Sequence, residues 1–235
     1  MAKILNIETS TGVCSIALSI DGEVVAIEES FTKNSHAELV TLFSQKVVTD
    51  AGLKFDDLDA ISVSKGPGSY TGLRIGVSTA KGFSFGLEIP LISIGTLAAM
   101  AEGIKSKIST ENDLASTLFC PMIDARRMEV YTALFSNTLD EVEPTTAKII
   151  DKDSFSDQLS THKLIFAGDG AAKCKEVLGL QSNAVFLENF HPSATYLAKI
   201  AEQKFLNKEF EDTAYFEPYY LKDFVAGIPK VKGLR

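Results

Sequence analysis

Three carboxylates of this 235-residue chain stand where chemistry would need them, beside apolar stretches that run into short polar or glycine turns. Glu8 ends one stretch ahead of Thr9-Ser10-Thr11-Gly12, Asp124 ends another ahead of Ala125-Arg126-Arg127, and Asp169 sits inside Gly168-Asp169-Gly170. Carboxylate oxygens hold Mg²⁺ and a water, while glycine turns present backbone amides to phosphates. The candidate nucleotide-binding residues are therefore Glu8, Thr11, Gly12, Asp124, Gly168, Asp169 and Gly170. Other chemistries are poorly served. A phosphate loop counted from Gly66 needs glycine where Thr71 stands, and a dinucleotide fingerprint fails at the same residue. Gly68-Ser69 is not embedded in GxSxG, so no serine nucleophile is expected. Cys14, Cys120 and Cys174 lack CxxC spacing and read as buried thiols of a reducing cytoplasm. His162 and His191 stand alone, and no catalytic residue or metal ligand is assigned.

The elements that must position these groups centre on residues 60–87. Residues 60–64 read as the end of a strand, and Gly66-Pro67-Gly68 as a tight turn, because proline fixes φ while glycine permits positive φ. Ser69 or Thr71 then caps a helix from Tyr70 to Leu87. An anion at the exposed amides of that helix start is the functional alternative to a plain turn. At 100° per residue, Leu73, Val77, Ala80, Ser84 and Leu87 share the face assigned to the core. Arg74, Ser78 and Lys81 lie on a second face, and Gly72, Thr79, Gly82 and Gly86 on a third that carries almost no side chains. Each glycine inside a helix costs about 1 kcal/mol relative to alanine. Close approach of another helix, another subunit or a ligand is the expected compensation. Packing of the seam wholly inside its own half is the competing reading.

Composition narrows the class. A hydrophobic fraction of 45% suits a globular protein, at a length giving one large domain or two lobes of roughly 115 residues. No uninterrupted apolar run is long enough to span a membrane, and the first residues enter a strand directly, so neither a membrane span nor a signal peptide is expected. With a net charge of −8, the body lacks the basic patch of a protein that grips nucleic acid alone. Only residues 222–235 are basic, with four positive residues against Asp223.

Along the chain, residues 1–10, 14–19 and 23–28 read as strands, residues 36–51 as an amphipathic helix ended by Gly52, and residues 90–93 as a strand. A helix is expected over 95–103, and a polar connection over 105–114. The opening then returns. Met122 to Arg127 overlie Asn6 to Thr11 at an offset of 116, and residues 164–168 lead into a second glycine turn and a helix from Ala171. A last helix spans residues 194–205. Two similar α/β lobes with a carboxylate at each hairpin describe the actin-like (ASKHA) ATPase fold, in which nucleotide binds between lobes. The expected division is 1–104 and 105–235, with the tail returning to the first lobe.

IETSTGVCSIAL, KGPGSYTGLRIGVSTAKG and IDARRMEVY, in this order, resemble the bacterial TsaB family, once called YeaZ, and EPYYLKDF resembles that family's end. The resemblance implies a non-catalytic scaffold or activating subunit of the machinery that makes N6-threonylcarbamoyladenosine (t6A) on tRNA. In that machinery TsaB dimerises with its paralogue TsaD, which carries metal and active site, and TsaE and TsaC supply an ATPase and the activated intermediate. It further implies a homodimer in isolation, contact with tRNA only through the complex, and a cytoplasmic location without membrane attachment. The metal site of TsaD needs HxxxH, whereas His36 is followed four residues later by Val40, which makes it a cap or interface residue. The implied partner surface lies on the helices of residues 36–51 and 70–87 and comprises His36, Leu39, Val40, Phe43, Gly72, Arg74, Ile75, Ser78, Thr79, Lys81, Gly82 and Gly86. Arg74 and Lys81 would pair with partner acids. The cofactor position left open is ATP or ADP with magnesium at the heteromeric junction. The alternative is an ATP-dependent phosphotransferase or ATPase of the actin-like fold, although Glu8 is longer than the aspartate such kinases use and Thr11-Gly12 makes a poor phosphate hairpin.

Overall fold

The computed structural model describes residues 1–32, 35–108 and 116–222. Strands β1 (Lys3–Glu8), β2 (Cys14–Ile20) and β3 (Glu23–Ser30) form an antiparallel meander. Parallel to β1 run β4 (Ala60–Gly66) and then β5 (Leu91–Gly95), giving the order β3-β2-β1-β4-β5. The second half repeats this plan with β6 (Thr117–Asp124), β7 (Glu129–Phe135), β8 (Glu141–Ile149), β9 (Lys163–Ala167) and β10 (Ala184–Leu187), in the order β8-β7-β6-β9-β10. Glu8 and Asp124 are the last residues of the equivalent central strands. The repeat read at an offset of 116 is thus a repeat of architecture, and the fold is the two-lobed actin-like α/β fold. Central β1, β4 and β6 are buried along almost their whole length, as strands covered on both faces must be.

Parallel pairing needs crossovers, and helices supply them. Helix α1 (His36–Asp50) joins β3 to β4 and α2 (Tyr70–Leu87) joins β4 to β5, both packing on one face of the first sheet with Leu5, Ile7, Ile61 and Val63. Helices α4 (Ser156–Thr161) and α5 (Asp169–Leu178) do the same in the second half, against Cys120, Met122 and Phe166. Helix α3 (Thr96–Ile108) follows the first sheet in sequence but buries Leu97, Met100, Ile104 and Ile108 against Phe119, Ile123 and Ile165 of the second. Conversely α6 (Ala198–Leu206), with the 3-10 turn Ala194–Leu197 before it, packs on Ile4, Ala17, Ile92 and Ile94 of the first. The exchanged helices meet where Gly103 faces the ring of Tyr196; a Cβ there would lie 2.6 Å from it.

Several expectations shift. A boundary after residue 104 falls inside α3, whose apolar period continues to Ile108; the rest of the expected 105–114 connection, from 109 on, lies outside the described residues, as does the basic tail beyond Lys222. Helix α5 begins at Asp169 rather than Ala171, because Gly168 (φ 112°) makes the turn on its own. After α6 the chain runs back along the first half. Glu211 N–H donates to Leu91 O (2.8 Å), and Tyr219 N–H to Lys65 O (2.7 Å).

Helix α2 keeps its expected ends. Ser69 Oγ accepts from Gly72 N–H at 3.3 Å, and Leu73, Val77, Ala80 and Ser84 are buried. Its glycines divide into two kinds. A Cβ at Gly72 would overlap the Thr9 carbonyl and one at Gly76 the Thr9 hydroxyl, which itself donates to Gly72 O at 2.8 Å; at Gly82 and Gly86 a Cβ would meet nothing within 4 Å. The seam is therefore intramolecular at its start and open at its end. Gly72→Ala is expected to lower stability in urea unfolding by about 1–3 kcal/mol through overpacking. Gly82→Ala is expected to raise it by about 0.5–1 kcal/mol through helix propensity alone. Equal effects would contradict the division.

Candidate functional site

The carboxyl ends of β1 and β6 face each other across a cleft of about 860 Å³, the place where this class of sheet presents its loops. On the first side the cleft is lined by Ser10, Thr11 and Gly12 of the β1–β2 turn and by the start of α2; on the second by Asp124, Arg126 and Asp169. The two glycine turns fix this spacing in the same way. Gly66 (φ 119°) and Gly168 (φ 112°) both occupy backbone space that side chains avoid, and Gly68 and Gly170 have no room for a Cβ against Ser10 O and the Ile123 backbone. Ser69 N–H donates to Ser10 O at 2.6 Å, tying the helix start to the hairpin. Of the expected nucleotide residues, the cleft gathers Thr11, Gly12, Asp124 and Asp169; Gly168 and Gly170 shape its wall from behind.

The three carboxylates differ sharply. Glu8 is fully buried and does not line the cleft; Oε1 accepts from Ser10 N–H at 2.6 Å, while Oε2 has no partner, nor do the buried hydroxyls of Ser10 and Ser64. Burial raises its pKa above the ordinary carboxylate value, outweighing the Ser10 N–H and the pull of the Ser10 and Ser64 hydroxyls that lie near the carboxyl. Asp124 Oδ1 takes the ammonium of Lys173 and, at 2.8 Å, the N–H of Arg126. Partial burial pushes its pKa the other way, yet these two partners hold it below the ordinary value. Asp169 Oδ1 accepts from Asp124 N–H at 3.0 Å, and desolvation together with the nearby Asp124 charge pushes its carboxyl up. Lys173 also donates to Glu129 O at 2.7 Å, which seats it between the two strands of the hairpin. Among the described residues, no group of three or more His, Cys, Asp or Glu is placed to hold a metal ion.

A strap made of the returning chain crosses the cleft mouth. The ring of Tyr220 lies 4.8 Å from that of Tyr70 at the start of α2, and Lys222 pairs with Glu129 on β7. Sequence reasoning assigned none of these contacts, because the signal is pairing between segments 93 (Glu129 and Lys222) and about 150 (Tyr70 and Tyr220) positions apart in a chain whose local pattern there is irregular.

The second surface is the outer side of α1 and α2, and here the list read from sequence needs correction. His36 and Val40 are buried against their own sheet, with His36 Nε2 3.1 Å from Val13 O, and Gly72 is buried against Thr9. These three are not available to a partner, because α1 turns the stripe His36, Val40, Ser44 and Val47 inward at helical spacing. Lys81 is also committed, donating to Ala214 O (3.2 Å) and Phe216 O (2.9 Å) of the returning chain. Leu39, Phe43, Ile75 and Thr79 are half-buried, and Arg74, Ser78, Gly82 and Gly86 are exposed. Arg74 sits over Tyr70, 5.3 Å from the ring centroid. Two residues were missed: Leu42, 59% exposed, and Phe85, 82% exposed. The available signal was an apolar side chain standing off the core stripe of an amphipathic helix.

Similarity to known proteins agrees with this geometry. Residues 27–230 match the family model described as TsaD, tRNA N6-adenosine threonylcarbamoyltransferase. The tRNA threonylcarbamoyladenosine biosynthesis protein TsaB of Escherichia coli is 32% identical over 231 residues, covering 95% of this chain and 96% of that protein. Its counterpart in Haemophilus influenzae is 29% identical over 234 residues, covering 94% of each. YeaZ from Pseudomonas aeruginosa superposes with a TM-score of 0.80 at 22% identity, covering 94% of this chain and all of that one, and so shares the fold. With the duplicated sheets, the paired glycine turns and this similarity along nearly the whole length, the chain belongs to the TsaB (YeaZ) family.

Proposed function

We propose that this protein acts in the biosynthesis of t6A on tRNA as a non-catalytic, activating subunit that dimerises with TsaD through the outer faces of α1 and α2. The observation that carries this reading is the exposed Phe85 beside the open backbone at Gly82 and Gly86 of α2, with a second exposed apolar side chain, Leu42, on α1. A helix face with large apolar side chains and no Cβ at its glycines admits another helix at close range. Arg74 at its margin supplies a cation for a partner carboxylate. A homodimer through the same face is expected in isolation, with TsaE joining the complex and tRNA reached only through it. No described helix is long and apolar enough to cross a membrane, in keeping with a cytoplasmic role. The relatives named TsaB support the pathway, and the match to the TsaD model supports descent from a common ancestor with the proposed partner.

The phosphotransferase alternative loses support at the cleft. A kinase of this fold needs free carboxylates for magnesium and water. Here Glu8 is sealed away, Asp124 is paired with Lys173, and Asp169 spends one oxygen on a backbone amide.

Threonylcarbamoyl transfer to tRNA by the TsaD paralogue is expected to depend on this chain, while the chain alone hydrolyses no ATP; hydrolysis alone with no effect on transfer would reject the subunit role. Gly82→Arg is expected to weaken association with TsaD at least tenfold in an equilibrium binding assay and to leave the monomer's thermal melt unchanged or slightly higher. A variant that binds normally would move the interface elsewhere.

A further inference from the structure

We propose that the docking face of α2 continues onto the returning chain, where Tyr215 is an anchor for a helix of the partner and Lys81 is the residue that positions it. The inference rests on the subunit reading above and deepens it, by adding a segment that belongs to neither α1 nor α2.

The first observation is a turn built to hold one ring outward. Asp212 Oδ1 accepts from Ala214 N–H at 2.9 Å and from Tyr215 N–H at 3.3 Å, and Asp212 O accepts from Phe216 N–H at 2.8 Å. An aspartate that bonds the backbone two residues on closes a turn by itself. The Lys81 ammonium then donates to the carbonyls on either side of Tyr215, Ala214 O at 3.2 Å and Phe216 O at 2.9 Å. Thr213 Oγ1 lies 3.2 Å from Ser84 Oγ, which fastens the turn to α2 a second time. Phe216 packs on the core of the first half, while Tyr215 is 84% exposed. The Tyr215 side chain has no hydrogen-bond or ring partner among the described residues.

The second observation is the cost of this arrangement. A surface lysine is ordinarily hydrated and mobile, yet Lys81 is half-buried and gives its ammonium to two backbone carbonyls. The backbone on both sides of the ring is therefore ordered before a partner arrives, which removes part of the entropy lost on association. Tyrosine joins a large apolar area to a hydroxyl, and such residues carry a large share of binding energy at interfaces.

The third observation is position. At 100° per residue, Phe85 falls between the flank of Lys81 and Ser84, which the turn covers, and the flank of Gly82 and Gly86, where a Cβ would meet nothing within 4 Å. Toward the start of α2 the exposed Arg74 sits over Tyr70, whose ring meets Tyr220 of the same returning chain. This surface fits a helix laid along α2, with the glycine backbone beneath it, aromatic rings beside one end and a carboxylate opposite Arg74. An added strand is poorly served at the turn, because the carbonyls of Ala214 and Phe216 and the N–H groups of Tyr215 and Phe216 are already bonded.

Equilibrium binding of the full chain to the TsaD paralogue tests this. Tyr215→Ala is expected to weaken association about tenfold with an unchanged thermal melt, and Tyr215→Phe to stay within about threefold of the parent chain. Lys81→Met is expected to weaken it about fivefold, and to add nothing in a chain that already carries Tyr215→Ala, a coupling that a merely structural role of Lys81 would not produce. Additive losses from the two substitutions would overturn the positioning role. Normal binding by Tyr215→Ala while Gly82→Arg fails to bind would overturn the anchor and leave the helix-face reading standing. Loss of self-association alone, with the paralogue bound normally, would assign Tyr215 to a contact between copies and equally overturn it. Normal binding by both Tyr215→Ala and Gly82→Arg would reject the helix-face reading and this inference with it.

Discussion

The first turn of α2 lies against the β1–β2 hairpin so closely that no side chain fits between them. Gly68, Gly72 and Gly76 all face Ser10 or Thr9, the Thr9 hydroxyl donates to Gly72 O, and Ser69 N–H donates to Ser10 O. This approach fixes where the helix starts, which way it points and how deep the cleft floor is. It also sets which part of α2 faces outward, so that the cleft and the outer face of the helix both depend on one contact. The interior glycines, each costly to an isolated helix, are compensated here by packing and hydrogen bonding that any larger residue would prevent.

The duplication shows what such a scaffold can keep and what it can change. Both halves retain the sheet order, the carboxylate that ends the central strand, and a Gly-x-Gly turn whose first glycine has φ above 100°. Their chemistry has diverged. In the first half the carboxyl of Glu8 is withdrawn from solvent, and in the second the carboxylate of Asp124 is neutralised by Lys173. A divalent ion would have to displace an ammonium at one wall and break open a buried pocket at the other. The exchange of α3 and α6 between the sheets then joins the halves over a continuous apolar interface, so the cleft walls are held at a set spacing by the core.

Much of this was legible before any coordinates. Alternation and apolar runs placed the strands near their observed positions, Ser69 and the glycine turn set the start of α2 to the residue, and the offset of 116 anticipated the repeated architecture. The motifs carried the family. The site was legible only in outline, since Thr11, Gly12, Asp124 and Asp169 do meet in the cleft while Glu8 does not. On the outer side of α1 and α2, the helical wheel offered Gly82 and Gly86, which the fold leaves open, together with His36, Val40 and Gly72, which the core takes.

What the sequence determined by itself is local: capping, turn geometry, amphipathic period and repeated order arise from residues a few positions apart, whose preferences survive without the rest of the chain. What only the tertiary structure decided is pairing across distance. Lys173 reaches Asp124 over 49 positions, Lys81 is spent on carbonyls some 135 positions away, and two glycines of one helix are packed while two are open. The same residue types satisfy either outcome locally, so the choice is made by whichever neighbour the folded chain brings within hydrogen-bonding or van der Waals range.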